Sequence, residues 1–137
     1  MNLSGRSSEN GSGADSDRKC ILLVDDSMAV RQLMRLMLSM YLTLDIYEAG
    51  DGVEAISKLM EKDFDLVITD IRMPQMDGLS LIKKVRGEIS VDVPIIVVST
   101  LGKESDRDEG LKLGANSYVT KPVQAPDLIR EVTSLLS

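Results

Sequence analysis

Beyond residue 18, apolar positions along the chain alternate between two patterns. Cys20-Ile21-Leu22-Leu23-Val24, Leu66-Val67-Ile68 and Ile95-Ile96-Val97-Val98 are short, nearly continuous and rich in β-branched residues. Such runs predict strands buried on both faces. Asp45-Ile46-Tyr47-Glu48-Ala49 and Ser117-Tyr118-Val119-Thr120 alternate more and predict edge strands. Between the runs lie sets at helical spacing: Val30, Leu33, Met34, Met37, Leu38 and Tyr41; Val53, Ile56 and Met60; Leu79, Ile82 and Val85; Leu128, Ile129, Val132, Leu135 and Leu136. Each set marks one buried stripe, and Met34, Met37 and Met40 read as core filler. Pro126 suits the first turn of the last helix, and Gly87 and Gly114 suit helix stops. The order is β-α repeated five times. Right-handed crossovers turn that order into an α/β, doubly wound parallel sheet with helices on both faces.

Two segments break the pattern. Residues 103 to 112 hold Lys103, Glu104, Asp106, Arg107, Asp108 and Glu109, with Leu111 and Leu113 as the main anchors. A helix there is polar nearly all round and should be among the least firmly packed elements, either a solvated face or an element able to move. Residues 1 to 18 hold five Ser and three Gly and no aromatic or β-branched residue. That composition predicts a flexible tail ahead of one folded unit spanning residues 19 to 137.

Composition narrows the chemistry. The 137 residues carry a formal charge of −6, which argues against direct contact with nucleic acid or an anionic membrane. There is no histidine, so Ser-His-Asp and Cys-His nucleophile systems and a histidine phosphocarrier are excluded. The single cysteine, Cys20, cannot form an intramolecular disulfide, and no apolar run reaches the length of a membrane span or signal segment. A cytoplasmic location is expected.

In open parallel sheets, ligands bind outside the carboxyl ends of the strands. The first strand here ends in Asp25-Asp26, the third in Asp70, the fourth in Ser99-Thr100 and the fifth in Lys121-Pro122. Three carboxylates on one rim need a cation, a proton or an ammonium to compensate them. Hard oxygen ligands with access to water favour Mg²⁺. Lys121 offers a point charge for a phosphoryl oxygen, and Ser99 offers a hydroxyl donor. No Walker P-loop occurs, and no organic cofactor is expected.

These residues resemble the receiver domain of bacterial two-component response regulators, close in size to the single-domain chemotaxis type. The likeness covers roughly residues 19 to 137: ILLVDDS with Asp25 and Asp26, TDIRMPQMDG with Asp70, IIVVST with Ser99, and SYVTKP with Tyr118 and Lys121. The resemblance implies a flavodoxin-like five-stranded sheet of order 2-1-3-4-5. It implies Asp70 as phosphoacceptor, Lys121 and Ser99 as phosphoryl-binding groups, and Ser99 with Tyr118 as the switch pair. It further implies Mg²⁺ held by Asp26, Asp70 and the backbone carbonyl of Arg72, with Asp25 acting mainly through water, and a cis peptide before Pro122.

On that likeness the chain accepts a phosphoryl group from a sensor histidine kinase and catalyses only its own modification and its reversal. It then biases the face formed by the fourth helix, fifth strand and fifth helix, which binds a downstream protein target. Monomer, or a weak dimer dependent on phosphorylation, is the expected state. Thr100, where the family often has Ala or Gly, adds bulk beside the hydroxyl. Arg72 and Leu101 occupy positions that in the family shape how fast water reaches the phosphoryl group. Two readings stay open: a single-domain signalling module, or the receiver portion of a larger DNA-binding regulator or hybrid kinase. A phosphate-ester hydrolase is opposed by Arg72 where a general acid is needed, and a flavin carrier by one Phe, three Tyr and no Trp.

Overall fold

The computed structural model describes residues 18–137. The predicted tail therefore lies outside the described residues, except for Arg18, which reaches Asp45 at 3.4 Å. Five strands, β1 (Lys19–Val24), β2 (Leu44–Ala49), β3 (Leu66–Asp70), β4 (Ile95–Thr100) and β5 (Ser117–Lys121), alternate with α1 (Met28–Tyr41), α2 (Gly52–Glu61), α3 (Gly78–Lys84), α4 (Glu104–Leu113) and α5 (Ala125–Leu136). All neighbouring pairs are parallel, in the order β2-β1-β3-β4-β5. The two runs that alternate more, β2 and β5, are the edges, as their pattern predicts.

Side chains alternate across the sheet with the strand period of two. Ile21, Leu23, Ile68, Ile96 and Val98 pack beneath Met34 and Leu38 of α1 and Leu128 and Val132 of α5. Leu22, Val24, Val67, Ile95 and Val97 pack on the opposite face with Ile56 and Leu59 of α2 and Leu81, Ile82 and Val85 of the α3 region. Both faces are covered, which is why these strands read as continuous apolar runs. Ser27, Asp51 and Asp77 cap α1, α2 and α3 by accepting from the backbone N–H three residues on, and Pro126 lies in the first turn of α5.

Four helical expectations change. In α2 the buried stripe runs through Gly52, Ala55, Ile56 and Leu59, while Val53 and Met60 face solvent. At the first of these, Gly52, a Cβ would stand 2.7 Å from Met76, so the start of the helix lies tight against the loop after β3. In α1, Leu33, Met40 and Tyr41 are exposed beside the buried Met34 and Leu38, so the apolar surface is wider than the stripe the core uses. Gly87 does not stop its helix. The chain continues from α3 through a wide turn, Val85–Ile89, closed by the Ser90 N–H on the Val85 carbonyl. Of the two expected anchors of α4, Leu113 packs on the core while Leu111 is exposed. The helix meets the core at buried Gly110, where a Cβ would stand 3.1 Å from Val97 and 3.7 Å from Ile82 and Leu79. Gly114 ends α4 at φ 128°, a conformation glycine adopts readily.

Candidate functional site

Parallel pairing brings every carboxyl-terminal strand end to one edge. Val24 pairs with Thr69, Asp70 with Val98, and Thr100 with Lys121, so Asp25, Asp26, Asp70, Ser99 and Lys121 share a rim. Asp25 is fully buried. Its Oδ1 accepts from the Ser27 N–H at 2.8 Å, ahead of α1. Asp70 is buried at the end of β3, and its Oδ1 accepts from the Ile71 N–H at 2.8 Å. Lys121 Nζ lies 3.2 Å from Asp70 Oδ2 and 3.1 Å from Asp25 Oδ2. One ammonium thus bridges two carboxylates across the sheet.

The balance stays negative. Asp26, exposed beside Asp25, completes a set of three carboxylates whose oxygens lie within 4.8 Å of one another. Burial pushes the Asp70 carboxyl above the usual carboxylate range, and the Asp25 charge adds to this. Lys121 and the Ile71 N–H oppose the rise without cancelling it. Burial alone would lower Lys121, but the Asp70 and Asp25 carboxylates outweigh it and raise the ammonium's pKa. Asp25 Oδ2 is buried, with the Lys121 ammonium at 3.1 Å as its partner. Closely spaced hard oxygens with one ammonium among three carboxylates leave a surplus of negative charge that fits a small divalent cation.

The loop after Asp70 is fixed from two sides. The Gly78 N–H donates to the Ile71 carbonyl at 2.7 Å. A Cβ on Gly78 would stand 2.1 Å from the Asp70 carbonyl oxygen, so only glycine fits. The Gly52 N–H at the start of α2 donates to the Met76 carbonyl at 3.2 Å. Asp77 and Gly78 belong to the quoted loop motif. Gly52 was not anticipated, because a contact between two loops leaves no periodic signal. The Arg72 side chain, 71% exposed, turns away and makes a two-pronged ion pair with Asp106 of α4, Nε–Oδ2 3.0 Å and Nη2–Oδ1 3.1 Å.

At the end of β4 the Ser99 side is buried while Thr100 is exposed, which favours Ser99 as the hydroxyl facing the site. The Lys121–Pro122 peptide is cis. Tyr118 lies outward on β5, 40% exposed, with the Arg107 guanidinium 4.7 Å from its ring centroid. Cys20 is a free thiol, and among the described residues no helix is long and apolar enough to cross a membrane.

Comparison with known proteins points the same way. The family described as "Response regulator receiver domain" matches residues 21–133. The chemotaxis protein CheY1 of Helicobacter pylori is 40% identical over 113 residues, covering 81% of this chain and 90% of its own length. The transcriptional regulatory protein ResD of Bacillus subtilis is 35% identical over 119 residues, covering 85% of this chain but 47% of its own. This chain spans about half the length of several such transcriptional regulators. Among solved structures, the chemotaxis response regulator CheY4 of Vibrio cholerae superposes with a TM-score of 0.79 at 30% identity, over 87% of this chain and 99% of that one.

Proposed function

The chain belongs to the response regulator receiver family of two-component systems, and from that premise we propose that Asp70 is its phosphoacceptor. The observation that carries the proposal is the Lys121 ammonium, 3.2 Å from Asp70 and 3.1 Å from Asp25, at the edge of a three-carboxylate cluster. Partners follow in general terms from the family: a histidine kinase upstream and a protein target downstream.

In the proposed step an Asp70 carboxylate oxygen bonds to phosphorus. The bond from phosphorus to the imidazole nitrogen of a phosphohistidine, or to the acyl oxygen of acetyl phosphate, breaks and its electrons leave with that group. Lys121 stabilises the charge on the transferring group, and the Ser99 hydroxyl donates to one of its oxygens. An ionised carboxylate needs no general base, in keeping with the absence of histidine. Asp26, Asp70 and the Arg72 backbone carbonyl would hold Mg²⁺, with Asp25 acting through water. Bound there, Mg²⁺ supplies charge neutralisation for the phosphoryl oxygens and fixes their orientation. The chain modifies itself and acts on no released substrate.

Phosphorylation adds about −1.5 to −2 charge at the rim. Ser99 turns toward that charge, Tyr118 moves inward, and the α4-β5-α5 face presents a changed surface to its target. The protein is read as cytoplasmic and as a monomer or weak phosphorylation-dependent dimer, without direct contact to nucleic acid or membrane. A second reading, the receiver portion of a larger DNA-binding regulator or hybrid kinase, is favoured by relatives about twice as long. Coding sequence continuing past Ser137 would decide for it.

The test is intact-mass measurement after incubation with acetyl phosphate and Mg²⁺. One added phosphoryl group, absent in Asp70→Asn and without Mg²⁺, is expected. No gain in wild type, from acetyl phosphate or from a cognate kinase, would overturn the reading.

A further inference from the structure

Helix α4 has a small apolar hold on the molecule: Gly110 is its one buried residue, Leu113 packs on the core at its last position, and Leu111 is exposed. Towards its N-terminal end, where no apolar residue packs, it is held by charged groups on two successive residues. Asp106, whose side chain is only 15% exposed, receives both prongs of the Arg72 guanidinium from the loop that follows Asp70. Arg107 lies over the Tyr118 ring of β5. One clasp ties α4 to the loop that follows Asp70 and the other ties it to the strand that carries Tyr118.

We propose that the Arg72–Asp106 ion pair is a latch that holds α4 in its resting place and is broken when negative charge is added at Asp70. This rests on the assignment of Asp70 as phosphoacceptor. Arg72 is two residues from Asp70 in a loop whose backbone is fixed at Gly78 and Gly52, so the guanidinium can change partner without the loop moving. A planar guanidinium binds phosphate as well as it binds carboxylate, and a doubly charged phosphoryl group is the stronger competitor. Loss of the pair frees a helix that burial alone holds weakly. By linkage, whatever breaks the latch binds more tightly once the latch is gone.

A double-mutant cycle with two readouts tests this. Asp106→Asn also removes a favourable charge from the first turn of α4, so it is compared in the Arg72 and Arg72→Met backgrounds, where that loss is common to both. In resting protein, Asp106→Asn is expected to speed amide hydrogen exchange across residues 104 to 113, and to do so much less once Arg72 is methionine. Affinity for beryllofluoride with Mg²⁺ is expected to rise about two- to fivefold in the Arg72 background, the range for a partly exposed pair, and not in the other. The exchanged pair, Arg72→Asp with Asp106→Arg, should restore slow exchange, while Glu109→Gln, which removes an exposed charge from the same helix, should leave it unchanged. Equal effects of Asp106→Asn in both backgrounds, on exchange or on affinity, would overturn the latch. Beryllofluoride binding to none of the proteins would count against the Asp70 assignment instead, and hydrogen exchange in resting protein would then decide the latch alone.

Discussion

Replacing Asp70 by Asn should make the metal-free protein more stable. Asp70 lies 3.2 Å from the Lys121 ammonium and within 4.8 Å of oxygens of both Asp25 and Asp26. At an effective dielectric of about 20, the attraction is about 5 kcal/mol and each repulsion at least about 3.5 kcal/mol. Solvent screens the share of exposed Asp26, so the pair energies nearly cancel and burial of the charged carboxyl decides the sign. The raised Asp70 pKa points in that same direction. Asparagine keeps an oxygen for the Ile71 N–H and removes the charge, for an expected gain of about 1–2 kcal/mol at neutral pH. A carboxyl whose folded pKa is raised costs stability above that pKa, and the cost is withdrawn as pH falls through it. The advantage of Asp70→Asn should therefore shrink on acidification and vanish below the ordinary Asp pKa of about 3.9. Urea denaturation with EDTA, over a pH series, reads this directly. Mg²⁺ at about 100 times its Kd should stabilise wild type by about 2.7 kcal/mol and the variant far less. A variant less stable than wild type in EDTA, or Mg²⁺ stabilising both alike, would refute the reasoning.

Other outcomes follow from local contacts. Gly78→Ala forces a Cβ against the Asp70 carbonyl and should cost about 1–3 kcal/mol while weakening Mg²⁺ binding. Gly87→Ala, with nothing within 4 Å, should be neutral or stabilising by up to about 1 kcal/mol, both read by urea denaturation and Mg²⁺ titration. Arg86 donates to the carbonyls of Ser90, Val93 and Gly114 and to Asn116, so Arg86→Ala should cost about 2–4 kcal/mol in thermal and urea unfolding. The Arg31 guanidinium beside Glu48 holds its carboxyl below the usual range against a smaller effect of burial, and Arg35 adds to this. Glu48 therefore contributes stability above the unfolded Glu pKa of about 4.3, lost as pH falls through its lower folded pKa. Glu48→Gln should cost up to about 1 kcal/mol at pH 7 and nothing in strong acid.

The sheet was legible because burial on both faces forces strands such as Ile95 to Val98 to be apolar without interruption. The rim was legible because parallel strands must deliver their ends to one edge, so Asp25, Asp26, Asp70, Ser99 and Lys121 could be brought together by counting strands. What escaped depends on contacts with no period. Two apolar stripes of α2 share Ile56, and only packing shows that Ala55 and Leu59 face inward while Val53 and Met60 do not. Gly87 looks like a helix stop, yet the Ser90 N–H closes a wide turn around it on Val85, beside the hydrogen bonds of Arg86. Asp106 reads as one charge among several on a polar helix. Its partner, Arg72, is 34 positions away and becomes its neighbour only through the tertiary fold.

The most direct test of the central assignment is to locate the phosphoryl group chemically. After reaction with acetyl phosphate and Mg²⁺, borohydride reduces an acyl phosphate to the alcohol, so a phosphorylated aspartate becomes homoserine and can be found by peptide mass. Homoserine at position 70, lost when Mg²⁺ is omitted, is the expected result. Homoserine at position 25 or 26 instead, or at no position in protein that has gained a phosphoryl group, would contradict the assignment of Asp70.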